Sequence, residues 1–340
     1  MTLSFVGIGL GTPGYLTKAA EEQLKSSEIV YVDTYTSNVE DGLINYLREI
    51  VKGRVVNADR DLLENKMRDI VKEAMVKEVC IAVPGDPFIA TTHSALREEA
   101  HKLGIREKIV FGVSAYTAAI SLSGLHVYKF GKSASIPLTA DVNQVRQAYY
   151  TLLENQSRGL HTLLFLDTKE GGLKAGKALE LLLKVEQEEG RKVLKNETLV
   201  IAVARIGYED TAITAGRIEQ IISYSLPPTP HMLIFPGELH FTEREAVKNY
   251  VLDVGDVEKH APANYVKERV LKYLEKTRRV LQKVREQNID EGFCSYVETY
   301  VEDSLNFLMS GDYVNSLLAI GYAEGLLDAL RLMGTVKFEW

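Results

Sequence analysis

A chain of 340 residues exceeds what one hydrophobic core usually organises, so two or three domains are expected. Its composition, 46% hydrophobic and 26% charged, is that of an ordinary globular protein. The formal net charge of -7 excludes a global positive field drawing the chain to nucleic acid or anionic lipid, so any such contact has to be local.

The N-terminus runs straight into an apolar, strand-like segment with no basic flank, which argues against a signal peptide. Nowhere do apolar residues run for the roughly 18 positions a membrane span needs. Short β-branched runs predict strands at residues 3–8, 29–32, 79–83, 109–111, 162–166, 199–204 and 232–235. Amphipathic segments at 18–26, 62–77, 94–103, 175–188 and 215–223 predict helices between them. Residues 114–121 read as a helix, after which 125–135 restarts strand-like alternation. This rhythm predicts an α/β protein with substantially parallel sheets, divided into α/β domains at 1–115 and 116–255.

From about residue 256 the pattern changes. Pro262 and Asn264 punctuate a linker, after which 265–285 places Val266, Val270, Leu274, Leu281 and Val284 on one helical face. Residues 293–309 and 313–333 repeat the pattern on either side of Ser310-Gly311-Asp312, which predicts a small antiparallel all-α domain at 256–340. Between Lys267 and Arg285 eight side chains are basic and two acidic, while the following segment through Asp303 is strongly acidic. That polarity suits RNA, the ribosome or an acidic protein surface, and equally suits complementary charges on neighbouring exposed helices.

The motifs exclude more than they assign. Gly9, Gly11 and Gly14 have the spacing of a dinucleotide fingerprint, and Asp33 ends the next strand. Pro13 and Gly14 delay the helix that should meet a pyrophosphate, so a glycine turn close to some other ligand fits better. Gly131-Lys132-Ser133 is no P-loop, because residue 126 is His where glycine is required. Gly112-Val113-Ser114-Ala115-Tyr116 lacks the second glycine of a nucleophile elbow, and the seven histidines form no H-E-x-x-H, so no metal site is expected. Cys80 and Cys294 form no C-x-x-C and read as reduced thiols of a cytoplasmic protein. Pro84-Gly85-Asp86-Pro87 through Thr91-Thr92-His93 is more telling: an apolar strand ends in a polar turn that feeds a helix, where open α/β sheets bind ligands.

Phe5-Val6-Gly7-Ile8-Gly9-Leu10, Pro84-Gly85-Asp86-Pro87 and Ser123-Gly124-Leu125-His126 through Gly131-Lys132-Ser133 together resemble the diphthine synthases, members of the tetrapyrrole methylase superfamily. Gly159-Leu160-His161, Ala204-Arg205-Ile206-Gly207 and Pro230-His231 extend the likeness to about residue 253. The resemblance implies two α/β domains with S-adenosylmethionine in the cleft between them, contacted by Leu10, Asp86, Ile89, Ser114, Ala115, Leu166, Ile206 and His231. It further implies a homodimer, and methylation, to the trimethyl stage, of the amino group on a 3-amino-3-carboxypropyl-histidine of elongation factor 2 in diphthamide biosynthesis. No general base stands out; His93, His126 and His161 invite suspicion but suit structural hydrogen bonding, and Lys129 and Lys132 could attract the acceptor's carboxylate or the surface of its carrier protein. A tetrapyrrole methyltransferase of the same fold and a non-catalytic scaffold are the competing functions. The tail is similar to a small archaeal helical domain of unknown function, most clearly over Ala319-Ile320-Gly321-Tyr322-Ala323-Glu324-Gly325.

Overall fold

The computed structural model describes residues 2–37, 39–139 and 141–340. Five runs, β1 (Thr2–Gly7), β2 (Ile29–Asp33), β3 (Arg54–Ala58), β4 (Val79–Val83) and β5 (Arg106–Val110), form an all-parallel sheet in the order β3-β2-β4-β1-β5. Helices α1 (Lys18–Ser26), α2 (Asp41–Ile50), α3 (Met67–Ala74) and α4 (Ser94–Lys102) connect the strands. One face packs Leu3, Phe5 and Ile81 against Ile70 and Leu96; the other packs Val6, Ile8 and Val30 against Leu24, Leu43 and Leu47. Burial on both faces is why β1, β2 and β4 read as continuous apolar runs. Edge strand β3, with Arg54 and Asn57 exposed, carries no such run and escaped the sequence reading. The helix expected from residue 62 begins at Met67, after a π turn at Asp61–Asn65.

The ends of β1, β4 and β5 meet backbone to backbone. A Cβ at Gly7 would stand 2.5 Å from the Gly85 carbonyl oxygen, and one at Gly112 would stand 2.1 Å from the same atom. No side chain fits at either position.

α5 (Ala115–Ser123) leads to the second sheet, β6 (Ala134–Ile136), β7 (Thr162–Leu166), β8 (Leu199–Ala204), β9 (Ala212–Arg217) and β10 (His231–Phe235), in the order β6-β7-β10-β8-β9. Only β6 and β7 run parallel; β7 with β10, β10 with β8, and β8 with β9 are antiparallel. The expectation of substantially parallel sheets therefore holds for the first sheet and fails for the second, since residues 205–211 are too few for a crossover between β8 and β9. The helix predicted at 215–223 shrinks to α8 (Ile218–Ser223), because Ala212–Arg217 pairs with β8 along its whole length. Residues 125–135 hold one 3-10 turn, Val127–Lys129, and β6 rather than a long strand. α6 (Val142–Ser157), α7 (Ala175–Glu189), α9 (Phe241–Lys248) and α10 (Val254–Glu258) complete the layer. Both sheets belong to one compact unit, residues 1–155, 160–190 and 194–261.

The second unit comprises residues 156–159, 191–193 and 262–340. Its helices α11 (Tyr265–Arg285), α12 (Glu291–Met309) and α13 (Tyr313–Leu332) each start at a side-chain cap, Asn264, Asp290 and Asp312. They bury Val270, Leu274, Val297, Val301, Ile320 and Leu327 in a core of their own. Part of the basic charge of α11 is taken up inside the bundle: Lys276 pairs with Glu324 at 2.8 Å and Arg285 with Glu298 at 2.6 Å. Lys272, Arg279 and Lys283 are exposed and have no ion pair among the described residues.

Candidate functional site: a cavity at the strand ends

In an open parallel sheet the carboxyl ends of the strands present loops whose backbone is not used in the ladder, and ligands settle there. Here those loops enclose a cavity of about 400 Å³, within the range of small-molecule sites. All eight residues singled out by resemblance line it: Leu10 after β1, Asp86 and Ile89 after β4, Ser114 and Ala115 at the start of α5, Leu166 ending β7, Ile206 after β8, and His231 opening β10. Residues as far apart as Leu10 and His231 thus share one concavity because two sheets contribute their loop ends to it.

Each polar member has a geometric job. Asp86 is buried; its carboxylate accepts from Phe88 N at 3.0 Å and Gly112 N at 3.4 Å, latching the β4 loop to the end of β5. Ser114 caps α5 by accepting from Tyr116 N, and Ala115 follows at the first helical position, where a backbone amide has no partner inside the helix. His231 accepts from Ala175 N at Nδ1 and donates from Nε2 to the Pro227 carbonyl, 2.7 Å away. Burial pushes its pKa down against that carbonyl, so the ring is a neutral spacer with both nitrogens committed. Gly9 adopts φ +74°, and a Cβ there would meet the Tyr15 carbonyl oxygen at 2.4 Å; the turn is shaped for neighbouring backbone.

Asp33 ends β2 as expected, but it is fully buried and its carboxylate accepts from Tyr35 N, Thr36 N, the Thr36 hydroxyl and His93 Nε2. Burial works to raise its pKa, yet the bonds from His93 and Thr36 outweigh it and hold the carboxyl below its ordinary value. His93 is thereby a strut under the cavity loops, absent from the lining. His161, fully buried, contacts Glu243 at 2.9 Å, and exposed His126 contacts Thr242 at 3.0 Å. None of these three histidines lines the cavity.

The lysines suggested by the sequence also lie elsewhere. Lys129 pairs with Glu243 at 2.6 Å, and the Lys132 backbone amide is bound by Asn155; neither lysine lines the cavity. The basic side chain among the described lining residues is Lys169, in the turn after β7, exposed and with its ammonium 4.5 Å from the centre of the Tyr35 ring. Sequence reasoning missed it, although Asp167-Thr168-Lys169 is a polar step at the carboxyl end of a predicted strand, the place such residues are worth suspecting. Asp167, beside it, accepts from Leu138 N and Lys169 N. Both lining carboxylates therefore already hold backbone amides.

Residues 2–222 match the family of Tetrapyrrole (Corrin/Porphyrin) Methylases. Over 251 residues the chain is 39% identical to a diphthine synthase of Saccharolobus solfataricus, a match covering 72% of this chain and 97% of that one. The chain belongs to the diphthine synthases. A diphthine synthase of Sulfurisphaera tokodaii is 34% identical over 250 residues, 73% of this chain and 98% of that one. The crystal structure of another diphthine synthase superposes with a TM-score of 0.70 at 30% identity, covering 76% of this chain and 99% of that one. Residues 272–336 match a family of unknown function, DUF357. The protein is thus an S-adenosylmethionine-dependent methyltransferase, a diphthine synthase with a helical domain attached.

The cavity suits that cofactor. Leu10, Ile89, Leu166 and Ile206 line it with apolar surface of the kind an adenosyl group needs, and Asp86, Ser114 and the start of α5 add the few polar groups that would orient such a ligand.

Proposed function

We propose that the protein methylates, to the trimethyl stage, the amino group of the 3-amino-3-carboxypropyl-histidine of elongation factor 2, in the cytoplasm and as a homodimer. The observation that carries the reading is the convergence of Leu10, Asp86, Ile89, Ser114, Ala115, Leu166, Ile206 and His231 on one cavity; these residues would hold S-adenosylmethionine. When bound, the cofactor supplies an electrophilic methyl group, and transfer needs an in-line, deprotonated amine rather than a covalent enzyme intermediate. The apolar walls exclude water, and the latch from Asp86 to Gly112 fixes the loops that align the two reactants. Backbone amides on both oxygens of Asp86 and Asp167 favour their ionised, unprotonated form and His231 has no free nitrogen, so water at the open rim is the better acceptor for the amine's protons. Lys169, the cation at that rim, would take the carboxylate of the acceptor.

Mass spectrometry of modified elongation factor 2 after incubation with enzyme and S-adenosylmethionine tests the reading: successive additions of a methyl mass at the modified histidine are expected. Transfer to a precorrin and none to elongation factor 2 would overturn it. Lys169→Ala should raise KM for elongation factor 2 at least tenfold and leave affinity for S-adenosylhomocysteine unchanged; the reverse result would give Lys169 to the cofactor instead.

A further inference from the structure

Among the described residues, four tyrosine or phenylalanine rings line the cavity: Tyr35, Tyr116, Phe165 and Tyr208. Tyr116 and Phe165 stack on one another at 6.0 Å. Tyr208 carries the Arg205 guanidinium at 4.2 Å, and Arg205 is locked there by Asp210 at 2.6 Å and Glu40 at 2.9 Å. Tyr35 differs. The Lys169 ammonium stands 4.5 Å over its ring, and Lys169 is exposed, with no ion pair among the described residues. A second cation near this ring, Arg60 at 5.5 Å, is held by Glu64 at 2.8 Å. The ring itself is fixed in place. Tyr35 packs on the core of the first sheet, and its backbone amide donates to Asp33, 2.8 Å away, the carboxylate that His93 braces. The cavity thus has a rigid aromatic face on which an ammonium already rests, tied to no acid.

We propose that Tyr35 seats the amino nitrogen of the acceptor and sets how many methyl groups that nitrogen receives. The inference rests on the reading of the acceptor as a 3-amino-3-carboxypropyl group whose carboxylate goes to Lys169. In such a group nitrogen and carboxylate share one carbon, which puts the nitrogen roughly 2.5 Å from the carboxylate carbon. A carboxylate taken by Lys169 therefore brings its nitrogen into cation–π range of the ring, within about 6 Å of the centre. Lys169 reaches that carboxylate by swinging its exposed stem off the ring, which frees the face. Successive transfer makes the face useful. Each transfer breaks an S–CH3 bond and forms an N–CH3 bond, and one proton leaves to water for each methyl gained. Between transfers the nitrogen rests as a cation throughout, while its N–H donors fall from three to none. Hydrogen-bond acceptors lose their hold as methylation proceeds. An aromatic face does not, because it attracts the charge and the methyl groups rather than the protons. Tyr35 thus retains the partly methylated acceptor for the next transfer.

The test separates this seat from the identity of the protein substrate. With S-adenosylhomocysteine bound, the full-length protein is titrated with 2-aminobutyrate, the detached amino-acid end of the acceptor, and with its N,N,N-trimethyl form. The trimethyl form should bind at least about threefold more tightly. Tyr35→Phe should keep that preference, and Tyr35→Leu, which leaves an apolar side chain against the core, should abolish it. Unchanged affinity for S-adenosylhomocysteine reports that each variant is folded. With modified elongation factor 2 and limiting enzyme, Tyr35→Leu should release mono- and dimethyl product where the native protein and Tyr35→Phe yield the trimethyl product. No preference between the two probes in the native protein, or the same preference in Tyr35→Leu, would overturn the seat. A tenfold loss of S-adenosylhomocysteine affinity in Tyr35→Leu would overturn it too, by giving the ring to the cofactor. If the probe preference holds and elongation factor 2 takes no methyl group, the seat stands and the protein substrate is a different one.

Discussion

Glu243 is fully buried at the cap of α9, and four donors converge on it: His126 N at 2.7 Å, Lys129 Nζ at 2.6 Å, His161 Nε2 at 2.9 Å and His240 N at 2.8 Å. Burial alone would raise its pKa, but Lys129, the two amides and His161 together pull it to about 2 from an ordinary 4.5. That difference is worth about 3 kcal/mol at neutral pH. The folded protein binds this proton more weakly than the unfolded chain does. The contribution is therefore complete above about pH 5 and is lost as the pH falls toward 2. Glu243→Gln removes the charge and leaves Lys129 without its counter-ion, at a cost of roughly 3 kcal/mol or somewhat more. The expected fall in melting temperature is on the order of 10 °C at pH 7. Thermal melts followed by circular dichroism at pH 7, 5 and 3 should show the gap between native and variant proteins narrowing as the pH drops. A gap equally wide at pH 3 and pH 7 would refute the claim that an ionised Glu243 holds these segments together.

Asp86→Ala should weaken binding of S-adenosylhomocysteine at least tenfold in calorimetry, because the latch onto Gly112 is cut; an unchanged dissociation constant in a folded variant removes Asp86 from the site. Gly9→Val should cost affinity through the Tyr15 backbone, so normal binding would mean that the first turn is dispensable. A chain ending at Ala261, which keeps α10 with its buried Val257, should stay folded and transfer methyl groups. Loss of turnover alone would give the helical unit a role in recognising the protein substrate, and loss of cofactor binding would make it part of the site.

What the sequence disclosed follows its local signals. Doubly buried strands such as Val79–Val83 announce themselves as apolar runs, and the three tail helices by their period. β9 did not, because residues 212–217 are extended through pairing with β8, a long-range contact that local pattern does not encode. α6 was readable in Val145, Ala148, Tyr149 and Leu152, all buried at helical spacing, and was overlooked beside the irregular stretch before it. In the site, backbone-shaping residues were found through resemblance. The role of His161 and Lys129 stayed hidden because their partner, Glu243, is remote in sequence and looks like any surface helix acid.

The strand order of the first sheet has a consequence for synthesis. β1 sits between β4 and β5 and never touches β2. The first strand made thus has no neighbour until Val79–Val83 has left the ribosome, and no second neighbour until Arg106–Val110 follows. At roughly 5–20 residues per second, the wait for the first of these neighbours is about 4–15 s. Throughout it Leu3, Phe5 and Val6, all destined for complete burial, travel on an unpaired strand. Translation pauses between β1 and β5 should therefore lower soluble yield more than pauses within the tail, whose helices find their contacts locally.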